Sequence, residues 1–362
     1  MQFFKFLKEF FWKCLGNKRI STLFLTTIDH LTRMSDDFYA YDKWPKNSVP
    51  REDLYIYQVN KNLEQIGIII QGPLKHEDDF TLETVKYYKK LFPTAILIVS
   101  TWNNEEKGSL DQLKKAGAHI VISSLPEVRG IANVNCQIKS TMAGICYAEQ
   151  LGLKHILKTR SDQRIYAWNS LRYLFAVNKA FPVAPGSQIK ERLIIANEFT
   201  RKFTPFHFSD ILMFGTVEDV KLYWDQPFSS INERGSFTKI SEINESNCAE
   251  VFLGKNFMRK IAPSCQYTIT EYHNFLRNYF YIVDLQQLDL YWHWGQKWAL
   301  ALRFRVRHLS AKYKSDMCIN SSDWLHIYQN GEELSLPENI FKEQKHAEDV
   351  FLPSVLPTQS AE

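Results

Sequence analysis

The chain has 362 residues, 45% of them hydrophobic and 23% charged, with a formal net charge of +4; that is globular material, enough for one large domain with appendages or for two. So mild a charge, with no aromatic-interleaved RNA-binding motif, excludes nucleic acid as the expected partner, and no run reaches the roughly 20 apolar residues of a spanning helix. Six scattered cysteines without a C-x-x-C pair suit reduced thiols in a cytosolic protein rather than a disulfide frame.

Residues 1–62 form an aromatic, basic lead-in. In MQFFKFLKEFFWKCLGNKR, lysines interrupt the apolar residues and no small-residue cleavage site follows, so a secretory signal is not expected. An amphipathic helix in a lipid interface fits that stretch, and so does a terminal helix docked on the protein's own core. The former would place the protein peripherally on the inner face of the cytoplasmic membrane. A loop follows over Lys43–Pro50. Strong patterning begins at Ile66–Ile70, a continuous apolar run of the kind buried on both faces of a parallel sheet, and ends in the turn Gln71-Gly72-Pro73. Thr81–Leu91 reads as a helix with Leu82, Val85, Tyr88 and Leu91 on one face. Ala95–Val99 is a second strand ending in Ser100-Thr101-Trp102. Leu110–Ala116 is a short helix stopped by Gly117, and His119–Ile122 a third strand.

The most informative stretch is NVNCQIKSTMAGICYAEQLGLKHILKTRSDQRIY, from Asn133 to Tyr166. Val134, Ile138, Met142, Ile145 and Ala148 recur at helix spacing, with Asn133 or Asn135 as N-cap and Gly152 at the C-terminal turn. A strand over His155–Thr159 then delivers Arg160-Ser161-Asp162-Gln163-Arg164. Four strands separated by three helices predict a mostly parallel sheet with right-handed crossovers. Further on, Leu193–Ala196 reads as a strand, Phe206–Gly215 as a strand with Asp210 at its middle, and Val217–Trp224 and Asn247–Asn256 as helices, the latter carrying Glu250. The expected domain runs over 63–275. Residues 276–362 are an aromatic, basic extension in which 298–307 alternate like a strand, followed by a frayed tail from His346.

No P-loop, G-x-G-x-x-G, G-x-S-x-G, H-E-x-x-H or zinc-spaced Cys/His set is present. What remains is a set of strand ends that a parallel sheet brings to one rim, where open α/β sheets bind ligands. A nucleotide there would meet Trp102, or the turn Gln71-Gly72-Pro73, at base and sugar, beside Ser100 and Thr101, with Lys158, Arg160 and Arg164 on its diphosphate. Asp162 suits Mg²⁺ or Mn²⁺, which commonly keep one or two protein carboxylates plus substrate phosphates. Asn135 and Gln137 either contact the nucleotide or cap their helix.

These strings, with IGIIIQGP and ILIVSTW before them and FHFSDILMFG after, resemble the WavE lipopolysaccharide-synthesis family, itself similar to GT-A glycosyltransferases. The resemblance covers about Ile66 to Phe257. It implies an α/β, Rossmann-type, mostly parallel sheet flanked by helices, and transfer of a sugar from a nucleotide sugar to a lipid-linked or lipopolysaccharide core glycan. It matches Asp162 to the last acid of the nucleotide-sugar motif and Asp210 to the acid of S-D-x-x-x-F-G. The chain departs from Asp-x-Asp in having Arg160-Ser161-Asp162; arginines can take the diphosphate bidentately and partly replace a metal. An inverting transfer needs a general base, for which Asp210 and Glu250 are candidates.

Each residue also has a plainer reading. Asp162 could cap a helix or pair with Arg164, and Asp210 could pair with Arg160 or Lys158. Glu250 could be an exposed helix acid, Trp102 could fill the sheet edge, and His76-Glu77-Asp78-Asp79 suits a solvated turn. A sugar nucleotidyltransferase would carry a glycine-rich loop after the first strand, which Gln71-Gly72-Pro73-Leu74-Lys75 is not. A non-catalytic sugar- or lipid-binding scaffold of the same fold is the other alternative.

Overall fold

Six consecutive buried residues form β1 (Ile66–Gln71), the strand on which the sheet is built. Each of its isoleucines contributes about 1.5–3 kcal/mol by leaving water. The structure, a computed structural model, describes residues 23, 26, 27, 30, 34, 46, 65–232, 243–293, 318–331 and 334. The chain divides into two units, Met1–Pro45 and Lys46–Glu362. In the first, Leu23, Thr26, Thr27, His30 and Met34 are helical.

In the second unit β1 pairs in parallel with β2 (Ile96–Trp102) on one side and with β4 (His155–Arg160) on the other, and β3 (His119–Ser123) is parallel to β2. The connections are α1 (Phe80–Leu91), α2 (Lys107–Lys115) and α3 (Val134–Gln150). After β5 (Gln163–Ile165) and α4 (Ser170–Ala180) come β6 (Leu193–Ala196) and β7 (Met213–Thr216). Beyond them lie α5 (Val217–Trp224), α6 (Ala249–Ile261), α7 (Ile269–Tyr279), β8 (Phe280–Val283), β9 (Leu290–Trp292) and α8 (Ser321–Asn330). The seven-stranded sheet has the order β3-β2-β1-β4-β7-β6-β8. β7 is antiparallel to both β4 and β6, and β8 is parallel to β6, so β7 alone runs against the rest. The expected Rossmann-type, mostly parallel sheet flanked by helices is therefore the observed one. The β1–β2–β3 series extends one way and β4 returns to the other flank of β1, which puts a topological switch point between β1 and β4.

Several local expectations change. β2 starts at Ile96 and continues through Ser100, Thr101 and Trp102, which are ladder residues inside the sheet. Of 206–215, only the end is strand; Phe206 has φ +59, and 206–212 form a loop. Aromatic packing holds it: Phe208 stacks on Phe280 at 4.3 Å and Phe206 on Tyr267 at 5.8 Å. Helix α3 starts with Asn133 in the left-handed region and no side-chain cap. Gly117 and Gly152 do take positive φ at the ends of α2 and α3. The sheet also draws on residues past 275, since β8 closes its edge and Trp324 of α8 packs 4.6 Å from Tyr281.

Asn135 does not cap its helix. It is fully buried and donates to Val128 O and Ser229 O, both at 2.8 Å, while accepting from Ser229 N at 2.7 Å. One amide thus joins the loop before α3 to the segment after α5. Asn135→Ala would leave those buried backbone groups unmatched and should cost about 3 kcal/mol, read as a lower urea midpoint at unchanged slope.

The lead-in helix, all of the 43–50 loop except Lys46, the 298–307 alternation and the tail from His346 lie outside the described residues. Among the described residues, no helix is long and apolar enough to cross a membrane.

Candidate functional site

At the switch point the ends of β1 and β4 are stitched together. Gln71 and Arg160 are register partners. Gly72, at φ +118, turns the chain there, with its N–H on Ser100 O at 3.1 Å. Ser161 donates from its backbone to Gln71 O at 2.9 Å and from Oγ to Pro73 O at 2.5 Å. Thr81 Oγ1 donates to Ser161 O at 2.9 Å and accepts from Lys75 N at 2.8 Å. A Cβ on Gly72 would lie 3.1 Å from Ser161 Oγ, so close approach as well as φ selects glycine.

Arg160 and Asp162 form a bidentate pair at this edge, Nε to Oδ1 at 2.9 Å and a terminal nitrogen to Oδ2 at 3.1 Å. The indole N–H of Trp292 also reaches Oδ2, at 3.0 Å, and Arg160 lies 5.5 Å from that ring's centroid. This follows from β5 pairing with β9, which sets Gln163 opposite Trp292. Burial pushes the Asp162 carboxyl up, but the charge and hydrogen bonds of Arg160, with Trp292, hold it below its usual range.

Deeper lies a second set of charges. Lys158 is fully buried and donates to the backbone oxygen of Asp210, with its ammonium 4.8 Å from the Trp224 ring centroid. Burial brings it down to about 7, against the pull of Asp210. Asp210 is buried too, and its carboxyl is raised, first by burial and then by Glu250. Lys158, Arg160 and a hydrogen bond with Gln137 act the other way. Lys158, Arg160, Asp162, Asp210 and Glu250 thus make one electrostatic cluster at the end of β4, from residues up to 92 positions apart in a chain of 362.

Glu250, in the first turn of α6, accepts from the Cys248 thiol at 3.2 Å. His207 donates from Nδ1 to Phe199 O at 2.6 Å; burial, then Arg201, lowers it to about 3, so its ring is neutral. The ligand atoms of His207, Cys248 and Glu250 lie within 4.8 Å of one another. His207 and Cys248 carried no motif, because they lie 41 positions apart with a helix between them. Glu105 was missed as well: it accepts from Leu74 N at 2.7 Å and from Thr101 Oγ1 at 3.0 Å, bracing the turn after β1.

The structure brings together Gln71, Gln137, Lys158, Arg160, Asp162, Asp210 and Glu250, with Gly72 and Pro73 as the adjoining turn. It does not bring Ser100, Thr101, Trp102, Asn135 or Arg164 to them as ligands. Ser100 Oγ donates to Ser140 O at 2.6 Å, Thr101 serves Glu105, and Trp102 is buried in the sheet. Arg164 is fully buried with its donors on Thr84 Oγ1, Phe80 O, Lys46 O and Tyr166 Oη; it ties β5 to α1 and pairs with no acid among the described residues, and Asp162 pairs with Arg160. The 76–79 segment is the solvated turn expected, with Lys75–Glu77 at 2.9 Å and Lys46–Asp78 at 2.6 Å. Three buried amide atoms, Gln71 Oε1, Gln137 Oε1 and Gln163 Nε2, lack hydrogen-bond partners. All three side chains adjoin the cluster: Gln71 is in register with Arg160, Gln137 bonds Asp210, and Gln163 Oε1 accepts from Arg160 N at 3.3 Å.

Compared with known proteins, residues 66–346 match the model of the WavE lipopolysaccharide synthesis family. The chain belongs to that family. The matched span of this WavE chain takes in the whole seven-stranded sheet and α8. No curated protein matches significantly. Among solved structures, it is similar to glucosyl-3-phosphoglycerate synthase from Mycobacterium tuberculosis in complex with Mn²⁺, UDP and phosphoglyceric acid. That match has 10% identity and TM-score 0.33, over 68% of this chain and 75% of that one. It is similar also to mannose-1-phosphate geranyltransferase from Thermus thermophilus (10%, TM-score 0.28, 45% of this chain) and a cytidylyltransferase from Leptospira borgpetersenii (14%, TM-score 0.28, 46%). The alignments span 60% and 66% of those two chains. Likenesses this distant say nothing about the reaction.

Proposed function

We propose that this WavE-family chain is a glycosyltransferase that moves a sugar from a nucleotide-sugar donor to a lipopolysaccharide or other surface-glycan acceptor. The observation that carries the reading is the set of three buried amide atoms without hydrogen-bond partners, on glutamines that adjoin Arg160 and Asp210 at the switch point. Native proteins leave few buried polar atoms unmatched, and of those among the described residues these three adjoin a cationic, carboxylate-bearing edge suited to a sugar diphosphate.

In the transfer, an acceptor hydroxyl attacks the anomeric carbon as the bond from that carbon to the diphosphate oxygen breaks, and the diphosphate leaves with the electron pair. Arg160 neutralises the growing charge on the leaving group. Asp162 holds the guanidinium in place. Asp210, whose carboxyl is raised toward neutrality, takes the hydroxyl proton in an inverting reaction, and Glu250 keeps its basicity high. A buried Lys158 anchors the Asp210 backbone.

Asp162 also fits the implied divalent ion. Its oxygens accept from Arg160 and Trp292, yet a carboxylate oxygen has a second lone pair, and Mn²⁺ or Mg²⁺ needs only one such carboxylate plus the donor's phosphate oxygens. That ion would supply further charge neutralisation at the leaving group.

The test is a thermal-shift screen of nucleoside diphosphates and nucleotide sugars, with and without Mn²⁺. A ligand at 100 times its dissociation constant should add about 2.7 kcal/mol of stability. Release of nucleoside diphosphate from one nucleotide sugar without acceptor should follow. A flat screen across the common nucleotides, with no release, overturns the reading.

A further inference from the structure

We propose that His207, Cys248 and Glu250 form a second metal site that takes a divalent ion of the zinc class, separate from any ion held at Asp162. Its donors are an imidazole nitrogen, a thiol sulfur and a carboxylate oxygen, already gathered within 4.8 Å. Sulfur and imidazole select Zn²⁺ or Co²⁺ over Mg²⁺, which prefers oxygen alone.

The surroundings suit such a site. With Nδ1–H committed to Phe199 O, the Nε2 lone pair of His207 is the one available to an ion. A backbone carbonyl holding the other ring nitrogen is the usual support for a metal-bound histidine. The three ligands sit on two elements that are themselves fixed against each other. His207 follows Phe206, whose backbone packs under Gly254 of α6, while Cys248 and Glu250 begin that same helix. Bonds of about 2.0–2.3 Å in a tetrahedral arrangement set ligand atoms about 3.5 Å apart, so an ion needs to draw them in by about an ångström. Glu250 and Asp210 favour the charge and Arg201 opposes it.

On binding, the Cys248 S–H bond breaks, its proton passes to solvent, and the sulfur keeps the electron pair that bonds the metal. The thiol–Glu250 hydrogen bond is replaced by one bond from each residue to the ion. Three protein ligands leave a fourth position for water. The ion would clasp the 206–212 loop to α6, and with it the segment that carries Asp210.

The experiment uses the full chain, freed of metal with a chelator and titrated with Co²⁺. A saturable thiolate-to-cobalt charge-transfer absorption should appear, be displaced by Zn²⁺ and be indifferent to excess Mg²⁺. Cys248→Ser should abolish that absorption, and Glu250→Gln should weaken Co²⁺ binding tenfold or more. In the unmutated protein, Zn²⁺ should slow alkylation of Cys248, read by peptide mass, while leaving Cys136 and Cys146 unaffected. No absorption in the folded protein, the same absorption in the Ser variant, or no protection of Cys248 each overturns the proposal. The alkylation arm stays decisive if the Ser variant fails to fold, and none of these readouts depends on sugar transfer.

Discussion

Asp210→Asn is expected to lower transfer by about 10²–10⁴-fold, the usual contribution of a positioned base, while leaving the protein at least as stable as the parent at neutral pH. The stability half follows from the raised carboxyl. A carboxylic acid whose folded pKa lies above its unfolded one favours folding below the unfolded value, and that advantage is lost as pH rises through the folded value. At pH 7, well above the unfolded value near 4, the raised carboxyl of Asp210 beside Glu250 therefore works against folding relative to acid pH. An amide removes that cost and keeps the contact through which Lys158 is held, because Lys158 donates to the backbone oxygen. Asp162→Asn should behave oppositely. Its carboxyl is lowered, net of burial, by Arg160 and Trp292, so its contribution is present above the unfolded value near 4 and lost as pH falls through the folded one. The Asn variant should lose activity and, by leaving Arg160 without its partner, about 3 kcal/mol of stability at neutral pH. Parallel melting curves at pH 7 and pH 4 with rates on one nucleotide sugar separate the two. An Asp210→Asn enzyme with parental rates would remove the base from the mechanism.

This contrast between two aspartates marks the boundary of what residue pattern could convey. The strands β1 to β4 and the helices between them were legible because unbroken apolar runs and 3.6-residue spacing are local signals. The convergence of strand ends on one rim followed from parallel topology, and Arg160 with Asp162 came with it. Charge sign alone could not separate Arg160 from Arg164, four residues apart. Arg160 stays at the rim, whereas Arg164 is turned under α1 by β5 pairing with β9, whose residues lie over 120 positions away. Likewise Ser100 and Thr101 looked like strand-end residues open to a ligand, but β3 extends the ladder to Trp102 and puts their hydroxyls in the interior.

The 206–212 loop shows a second kind of illegibility. Phe206, Phe208, Leu212 and Phe214, in steps of two interrupted by Asp210, imitate a strand, yet the aromatics of the loop are gathered by Tyr267, Tyr272, Phe275 and Phe280 from α7 and its flanks. Tertiary aromatic packing overrides the local period. The result is an irregular backbone that can aim His207 one way and set Asp210 next to Lys158, which an extended strand would not do.

That loop depends on one glycine, and among the described glycines Gly254→Ala should be the most damaging. A Cβ at 254 would lie 2.0 Å from Phe206 O, 3.0 Å from Phe206 C and 2.8 Å from Phe208 Cδ2. Backbone atoms are two of these three, and Phe206 is already at φ +59, so the contact cannot be relieved by turning a side chain. Overpacking of this kind costs about 1–3 kcal/mol where side chains can adjust, and here α6 must move off the loop. The helical preference of Ala over Gly returns only about 1 kcal/mol. A net loss of about 3 kcal/mol is expected, with transfer falling too as Asp210 shifts. Gly152→Ala is the control: its φ of +67 strains a side chain, but nothing lies within 4 Å, so about 1 kcal/mol should be lost and activity kept. Urea midpoints of the two variants decide the matter. Equal losses would mean that α6 does not press on Phe206, and the support for Asp210 would have to come from elsewhere.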